Sequence, residues 1–479
     1  MIAEVAVGVL FAFSGFGVLT TVARDVPATA RAWLSVPIGA ALYLFASLVL
    51  LVITETLDPV LALGLVAGVG VVSLGWAVQH RLTTRRDLVA GALAVAVAVL
   101  TVVVARTWHL TRLTPDSLRY LLAATDLVRP DAFAEINRAD LLVRQIGLPA
   151  LQTFYVHVGR DYVASIAPLF GVSGAGLFTW LGWQLSEGSE TRRRWWLVAA
   201  AVAFLASSNR LIYDAFYVNT HIHMAAFLLI AVAGAWLAVN REHPGWALPA
   251  GLALAATLLM RPEAPLFVAV ILVTVAASRA NRNVRALITL PSVLTTVVWY
   301  AIALWQHANF GDEISLTAPV FGSMVAVFGS ALAVVVGGLD RLRRPASYLD
   351  RAAVIGLAGL VVIYGIRSPD VVTASAQATF RNLTYDGLWL ATWVAALALL
   401  AVALIVHRVP DGRLWTVPIV GFGLLYWLLP LIREGAWRVG AGDSGNRILA
   451  HILPVAVLFL VAAAQRSKAS EGRVETPTR

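Results

Sequence analysis

The sequence predicts an all-α polytopic membrane protein, and three observations support that prediction. Of the 479 residues, 59% are hydrophobic and 13% are charged. The mean hydropathy of +0.79 exceeds that of soluble globular domains. Apolar runs close to the roughly 20 residues that a bilayer crossing needs recur along the whole chain. No large soluble domain is predicted, and because the chain has no cysteine, disulfides and thiolate metal sites are excluded.

In chain order, the apolar runs define about fifteen candidate spans. The spans lie at 5–22, 33–54, 60–79, 88–107, 163–183, 195–207, 223–239, 246–260, 265–278, 286–305, 317–338, 352–366, 387–406, 414–432 and 448–465. The first three form a predicted N-terminal transmembrane bundle within residues 1–87, and the others form a predicted core within 88–465. The polar stretch 466–479 is predicted to be a disordered tail.

The apolar stretch 246–278 is too long for a single crossing, because as one helix it would be about 50 Å long. Pro262 lacks a backbone N–H, and a proline disfavours helical geometry in the residue before it. The pair Arg261-Pro262 therefore predicts a break. We interpret the stretch as two short helices that form a bent hairpin.

Clusters of arginine orient the predicted spans, because Lys and Arg concentrate in cytoplasmic loops. An even number of predicted spans separates each cluster from the next. The clusters are Arg81/Arg85/Arg86, Arg192/Arg193/Arg194, Arg279/Arg282/Arg285, Arg341/Arg343/Arg344, Arg408/Arg413 and Arg466/Lys468/Arg473/Arg479. This pattern predicts an extracytoplasmic N-terminus, a cytoplasmic C-terminus and a long extracytoplasmic loop at 108–162. Because such loops account for the net charge of +9, nucleic-acid binding is not predicted.

The long outer loop carries apolar residues at helical spacing with charged residues between them. Two stretches, 117–128 and 139–155, follow this pattern. We predict two amphipathic helices that lie along the outer face of the membrane. Ser117 would cap the first of them, because its hydroxyl can accept a hydrogen bond from a free backbone N–H near the helix start.

Five groups of polar residues lie toward the extracytoplasmic ends of the predicted spans. The enrichment of Lys and Arg in cytoplasmic loops does not account for polar residues on this side. An ionisable group near a span is costly unless it is paired or lines a wet cavity. A shared outward-facing cavity is therefore predicted. The groups are Asp116/Ser117/Arg119, Asn209/Arg210/Asp214/Asn219/His221/His223, Arg261/Glu263, His307/Asp312/Glu313 and Arg433/Glu434/Arg438/Asp443/Asn446/Arg447/His451.

Three of these groups also have a purely structural interpretation. Asp116 suits the first turn of a helix equally well, with Pro115 before it. Arg261 and Glu263 flank the predicted break and would form an ion pair that holds the hairpin together. Arg447 precedes an apolar run and would serve as an interfacial anchor. The residues alone leave these alternatives open.

A metal site is not predicted from the two neighbouring histidines. His221 and His223 are two positions apart, so in a helix they lie on different faces. No cysteine and no third ligand at a suitable spacing accompanies them. No metal and no cofactor is therefore predicted.

Three of the polar groups, taken together, resemble the pattern of the GT-C superfamily. An acidic residue, Asp116, follows a span in the first large outer loop, and an Arg-Pro-Glu sequence lies at 261–263. The sequence "GNRILAHILPV" at 445–455 leads into the last span. Members of this superfamily are integral-membrane glycosyltransferases that use polyprenyl-phosphate sugars, among them protein mannosyltransferases and arabinofuranosyltransferases. The resemblance covers 88–465 and implies a GT-C-like core, with the first three spans as an added bundle.

The resemblance also implies roles for these residues. Asp116 would be the general base on the acceptor hydroxyl, while the bond between the sugar and the phosphate breaks. Arginines suit the leaving phosphate because they bind it bidentately and stabilise its growing charge. The implied ligands of the donor phosphate are Arg447, Arg261 and Arg119. The implied substrate contacts are Glu263, which would orient Arg261, and Asn219, His221, His223 and Asn446.

The expected function is transfer of a sugar from a polyprenyl-phosphate donor to a glycan, lipid or protein acceptor of the cell envelope. The active site would lie on the extracytoplasmic face of the cell membrane. Two alternatives are a transporter or flippase of lipid-linked sugars and a non-catalytic membrane assembly subunit. A transporter would carry ionisable residues near the bilayer midplane, whereas this chain concentrates them at the outer ends of its spans. An assembly subunit would tolerate replacement of Asp116 and Arg447.

Overall fold

The computed structural model describes residues 1–130, 145–159, 162–187, 189–241, 243–310, 317–406 and 412–471. Within these ranges the chain forms helices and no β-strand, which confirms the all-α prediction. Helices of this kind satisfy their own backbone hydrogen bonds, as hydrocarbon surroundings require. Several of them are long and apolar enough to support the prediction of a multi-pass membrane protein.

Nine helices of the described ranges are long and apolar enough to cross a membrane. With all α-helices numbered in chain order, they are α1 (Ile2–Val22), α2 (Ala28–Thr54), α3 (Pro59–Gln79), α4 (Arg85–Thr107), α8 (Ile166–Leu185), α11 (His221–Asn240), α14 (Arg282–Phe310), α17 (Leu349–Arg367) and α20 (Arg413–Ile432). Shorter helices that lie between them complete the bundle or cover its ends. These are α5 (Pro115–Leu127), α6 (Gly147–Gln152), α7 (Tyr155–Val158), α16 (Arg343–Ala346) and α18 (Pro369–Arg381).

Two bent pairs of helices also have the length and composition of a span. The first pair, α9 (Thr191–Ala206) and α10 (Asn209–Ala215), is bent by 77°. The second, α21 (Ser444–Ile448) with a 3₁₀ turn to His451 and then α22 (Leu453–Glu471), is bent by 40°. Four further apolar helices are α12 (Ala247–Leu258), α13 (Ala264–Ala277), α15 (Thr317–Gly337) and α19 (Thr392–Val406).

Every predicted span overlaps one of these apolar helices. Length and composition support nine to eleven crossings within the described residues, so the number of about fifteen remains a prediction. The break expected at Arg261-Pro262 is present, because α12 ends at Leu258 and α13 begins at Ala264. The last helix continues to Glu471, and the rest of the predicted tail, 472–479, lies outside the described residues.

The structure confirms one expectation about the outer loop and corrects another. Helix α5 starts at Pro115, and the Oγ of Ser117 accepts a hydrogen bond from the N–H of Thr114, the N-cap residue, at 3.1 Å, so the hydroxyl caps the helix start from within its first turn. Of the second predicted amphipathic helix, 139–144 lies outside the described residues. The described part forms the short helix α6, which is buried at every residue because it packs between α5 and α2.

One amphipathic helix was not predicted from the sequence. Helix α18, between α17 and α19, buries Ser375, Ala378 and Thr379 and exposes most of its other residues. The hydroxyl of Thr379 lies 2.8 Å from the hydroxyl of Tyr426 on α20. The buried residues recur at helical spacing, but they are the small or polar residues Ser, Ala and Thr, so no stripe of large apolar residues marks this helix in the sequence.

Helices α1 and α2 pack against each other and against later parts of the chain. On α2, a Cβ atom added to Gly39 would lie 2.0 Å from the carbonyl oxygen of Phe11, so the backbones of α1 and α2 are in contact. The ring of Tyr43 on α2 lies 4.9 Å from that of Phe154, next to α6. Glu4 is fully buried at the start of α1 and accepts a hydrogen bond from the N–H of Ser165 at 3.1 Å.

The helices alternate in direction, so their connections gather at two opposite ends of the bundle. At one end, here called the site end, lie the starts of α5, α11 and α13 and the connection from α20 to α22. At the other, the arginine end, lie the arginine clusters at 81–86, 279–285 and 341–344 and Arg413. Helix α11 joins the two ends and, with 20 residues, is about 30 Å long.

Candidate functional site

Two extended segments meet at the site end and bring the start of α5 next to the start of α11. The N–H of Arg112 donates to the carbonyl of Phe216 at 2.7 Å, and the N–H of Val218 donates to the carbonyl of Arg112 at 3.2 Å. These two bonds form an isolated parallel bridge between residues 112 and 217. Because of this bridge, residues just before α5 lie beside residues just before α11.

Asp116 occupies the first turn of α5, one residue after Pro115, which is the first helical residue. The positive end of the helix dipole favours a carboxylate at this position. Helix α5 is held against the neighbouring segment by Ser117, whose Oγ donates to the carbonyl of Val218 at 2.9 Å. The side chain of Asp116 is 40% exposed, so the carboxylate is accessible from the site end.

Asp116 forms an ion pair with Arg447, a residue more than three hundred positions away in the chain. Arg447 Nη2 lies 2.5 Å from Asp116 Oδ2, and Arg447 Nη1 donates to the hydroxyl of Tyr217 at 3.1 Å. That hydroxyl lies 2.5 Å from Oγ1 of Thr114. The arginine side chain is 10% exposed. Tyr217 thus ties Arg447 to the start of α5, so the ion pair is set in place by neighbouring groups.

The Arg261-Pro262-Glu263 connection supplies a second ion pair. Arg261 Nε lies 2.5 Å from Glu263 Oε1, and Arg433 Nη2 lies 3.4 Å from Glu263 Oε2. Burial alone would raise the pKa of Glu263, but the charges of Arg261 and Arg433 outweigh it and hold that pKa below its ordinary value. Arg261 Nη1 also lies 3.3 Å from Oγ1 of Thr220, which links this pair to the start of α11.

A buried histidine pair continues this chain of contacts. His221 Nδ1 lies 2.8 Å from His451 Nε2, and His221 Nε2 lies 3.5 Å from Arg261 Nη1. The two imidazole rings are stacked, with centroids 5.1 Å apart. His223 is also fully buried, but it packs against the ring of Phe170 at 4.5 Å. The two histidines of α11 thus have different surroundings, as their spacing predicts.

A third ion pair, formed by Arg210 and Asp214, holds α10 in place. Both side chains are almost completely buried, and Arg210 contacts Asp214 through Nη2 at 2.6 Å and Nε at 3.1 Å. Arg210 Nη1 donates to the carbonyl of Ala441 at 2.6 Å, so the pair also anchors the connection that leads to Arg447. The connection from α20 to α21 therefore contacts α10 just after the bend between α9 and α10.

The structure brings several of the predicted site residues together and leaves others out. Arg119 is exposed on α5 and forms no ion pair within the described ranges. Asn446 is buried, where its amide donates to the carbonyl of Gly387 at 3.0 Å and accepts from Nε1 of Trp389 at 2.6 Å. Asn219 Oδ1 accepts from the N–H of Thr220 at 2.6 Å. Asp312, Glu313 and the side chain of His307 lie outside the described residues.

An apolar groove adjoins the charged cluster. It has a volume of about 250 Å³ and lies between α8, α11 and the bend that joins α9 to α10. Its walls include Phe178, Leu205, Phe216 and Ile222, together with Pro454 at the start of α22. Phe216 directly precedes Tyr217, and Ile222 directly follows His221, so the groove and the charged cluster share two backbone segments.

The cluster combines three largely buried arginines, Arg210, Arg261 and Arg447, and the exposed Arg433 with three carboxylates, Asp116, Asp214 and Glu263. Within the part of the chain that the structure describes, no three His, Asp or Glu side chains are grouped as metal ligands would be. The arrangement can therefore accept an anion at its arginines and a proton at the exposed carboxylate of Asp116.

Tyr217 is the functional residue that the sequence analysis missed. Its hydroxyl contacts Arg447 and Thr114, but in the sequence it is one of several aromatic residues near a predicted span end.

A comparison of the chain with protein-family models, with curated proteins and with solved structures finds no match in any of the three.

Proposed function

We propose that the protein is a membrane glycosyltransferase that moves a sugar from a polyprenyl-phosphate donor to an acceptor hydroxyl at the site end. The observation that carries the proposal is the Asp116–Arg447 pair, in which an accessible carboxylate and an arginine meet beside an apolar groove. The site end would face the extracytoplasmic side, and the arginine end and the C-terminus would face the cytoplasm.

In the proposed reaction, the donor phosphate competes with Asp116 for Arg447. As the phosphate binds Arg447, the carboxylate becomes available to the acceptor. The bond between the anomeric carbon and the phosphate oxygen breaks, and the acceptor oxygen forms the new bond to that carbon. The acceptor proton passes to Asp116, and polyprenyl phosphate leaves with the bonding electrons. General base catalysis of this kind contributes about 10²–10⁴ in rate.

Arg447 and Arg261 would bind the phosphate, because each is already oriented by another group. Tyr217 orients Arg447, and Glu263 orients Arg261. An arginine held in one rotamer loses little entropy when its ligand binds. As negative charge grows on the departing phosphate, such preset donors stabilise the transition state more than the bound substrate.

The apolar groove supports a lipid donor. Its walls are almost entirely hydrocarbon, and it begins where the charged cluster ends. A polyprenyl chain laid in the groove would place its phosphate beside Tyr217 and Arg447. The acceptor, which we propose to be a glycan, lipid or protein of the cell envelope, would approach the exposed side of Asp116.

The placement of ionisable residues supports an enzyme over a transporter. In the nine long apolar helices, every Asp, Glu, Lys, Arg and His lies within four residues of an end. Secondary transporters bind their substrates near the bilayer midplane, where such groups would line the path. A site confined to one end suits a reaction on a donor that stays in one leaflet.

The test compares Asp116→Asn with a matched control that the chain itself offers. Helix α18 begins with Pro369-Asp370, as α5 begins with Pro115-Asp116, but Asp370 is exposed and forms no ion pair in the described structure. Purified full-length protein and both variants are mixed with a panel of labelled polyprenyl-phospho sugars and membrane-extracted acceptors. Release of polyprenyl phosphate is then measured.

We expect the parent and Asp370→Asn to release polyprenyl phosphate from one donor, and Asp116→Asn to be slower by about 10²-fold or more. Thermal unfolding in detergent checks that both variants remain folded. Equal release by Asp116→Asn and the parent would remove Asp116 from the chemistry. No release from any donor, together with binding of a lipid-linked sugar, would favour the transporter.

A further inference from the structure

A large cavity at the arginine end has no role in the proposed reaction. It has a volume of about 910 Å³, within the range typical of ligand sites, and lies some 30 Å from the charged cluster, at the opposite end of α11. Four arginines and one carboxylate line it: Arg279, Arg343, Arg344, Arg413 and Asp350. These arginines come from three separate parts of the chain, so the fold concentrates positive charge there.

One of the four arginines is already engaged. Arg413 Nη1 donates to the carbonyl of Ser347 at 3.1 Å and lies 3.7 Å from Asp350 Oδ2, whose side chain is fully buried. The other three, Arg279, Arg343 and Arg344, are exposed and form no ion pair or side-chain hydrogen bond in the described ranges. Among the described residues, three guanidinium groups around one space therefore have no partner.

A buried arginine supports the segment that forms one wall of this cavity. Arg285 is 3% exposed, and its guanidinium donates to the carbonyls of Ala276, Ser278, Ala280 and Val334 at 2.7–3.3 Å. These bonds hold the segment that carries Arg279 against the end of α15, which leads to Arg343. The arginines thus project from a backbone that is held in one position. A loop whose arginines serve only to orient the protein in the membrane does not require a buried arginine that fixes its backbone.

We propose that this cavity binds a phosphate group, and that the phosphate belongs to a lipid headgroup of the adjacent leaflet. Guanidinium groups bind phosphate bidentately, and a phosphomonoester carries between one and two negative charges, which suits these three exposed arginines. Another wall of the cavity is apolar, with Leu404, Leu414 and Phe459. This combination of charged and apolar walls matches an amphipathic anion. The proposal does not depend on the proposed glycosyl transfer.

The test uses purified full-length protein titrated with phosphatidic acid or with phosphatidylcholine of the same acyl chains. Native mass spectrometry counts the bound lipid. The triple variant Arg279→Gln/Arg343→Gln/Arg344→Gln is compared with Arg81→Gln/Arg85→Gln/Arg86→Gln. The control removes the same charge from the same end of the bundle, where the three arginines are exposed and do not line the cavity.

We expect the parent and the control variant to prefer phosphatidic acid, and the cavity variant to bind it at least tenfold more weakly, about the effect of losing one good charge-assisted contact. A third variant with lysine at the same three positions keeps the charge and should bind with intermediate affinity. Loss of affinity in the control equal to that in the cavity variant would overturn the proposal. So would an absence of headgroup preference in the parent.

A competition experiment distinguishes the two sources of phosphate. If millimolar inorganic phosphate displaces phosphatidic acid from the parent but phosphatidylcholine does not, the site binds phosphate from solution. If phosphatidic acid stays bound under these conditions, the site binds the lipid. Either result keeps the phosphate site, and the thermal unfolding midpoint of the cavity variant should stay within a few degrees of the parent because the replaced side chains are exposed.

Discussion

The charged cluster at the site end and the cavity at the arginine end hold their arginines in different ways. At the site end, Arg210, Arg261 and Arg447 are buried, and each lies within 2.6 Å of a carboxylate oxygen. At the arginine end, Arg279 and Arg343 are exposed and have no ion-pair partner in the described structure. Removing a charge from water is costly unless a partner compensates for it, whereas an exposed arginine keeps its hydration.

The arginines of the charged cluster are therefore already paired, whereas the exposed arginines of the cavity can take up a new anion. At the site end the partners of each arginine are already in place, so a ligand must displace or share them. At the arginine end the exposed guanidinium groups of Arg279 and Arg343 have no ion-pair partner among the described residues, so an anion can add its own charge. Substitutions should therefore affect folding stability strongly in the charged cluster and weakly at the exposed arginines of the other end.

The largest effect is expected at the most deeply buried pair. Asp214→Asn keeps the shape of the side chain but leaves the charge of Arg210 without a partner, which should lower the free energy of unfolding by about 3–5 kcal/mol. Thermal unfolding in detergent, followed by tryptophan fluorescence, measures the loss. The double variant Arg210→Met/Asp214→Leu should lose less, because no charge stays buried. An unchanged unfolding temperature for Asp214→Asn would contradict the comparison.

Glu263 should make a smaller contribution that depends on pH. Glu263→Gln replaces a charged hydrogen bond to Arg261 and should cost about 2 kcal/mol at neutral pH. The pKa of Glu263 is lower in the folded than in the unfolded chain, so its stabilisation is present above the unfolded pKa and is lost as the pH falls through the folded pKa. The gap in unfolding temperature between parent and variant should therefore narrow in acid. A gap that stays constant from neutral pH to pH values below the ordinary carboxyl range would disprove this role.

Tyr217→Phe should act on the proposed reaction more than on folding. It removes the hydroxyl that orients Arg447, and we expect donor turnover to fall by about tenfold, equivalent to about 1.4 kcal/mol. Tyr213→Phe is the control, because its ring lies 5.2 Å from that of Tyr217 but no hydrogen bond to Arg447 depends on it. Equal losses in both variants would point to general disturbance of the aromatic pair.

The smallest effect is expected at the opposite end of the bundle. The triple variant Arg81→Gln/Arg85→Gln/Arg86→Gln should change the free energy of unfolding by less than about 0.5 kcal/mol for each residue, because all three side chains are exposed. Thermal unfolding under the same conditions measures this change. A loss as large as that of Asp214→Asn would show that exposure does not separate the two ends.

Much of the candidate site could be predicted because charge near an apolar span is rare and costly. Asp116, Arg261, Glu263 and Arg447 stood out for that reason, and the structure places them in two ion pairs within one cluster. Tyr217 did not stand out, since tyrosine is common at the ends of spans. Asn446 stood out as polar, but its amide is occupied by Trp389 and Gly387.

The sequence by itself determined the class of the protein, the position of its apolar helices and the break at Arg261-Pro262. These features depend on composition and on local backbone chemistry, which neighbouring residues decide. Only the tertiary structure decided that Arg447 pairs with Asp116, that α6 is buried and that three arginines with no ion-pair partner in the described ranges surround one cavity. Such features depend on which distant segments pack together, and neither periodicity nor charge count contains that information.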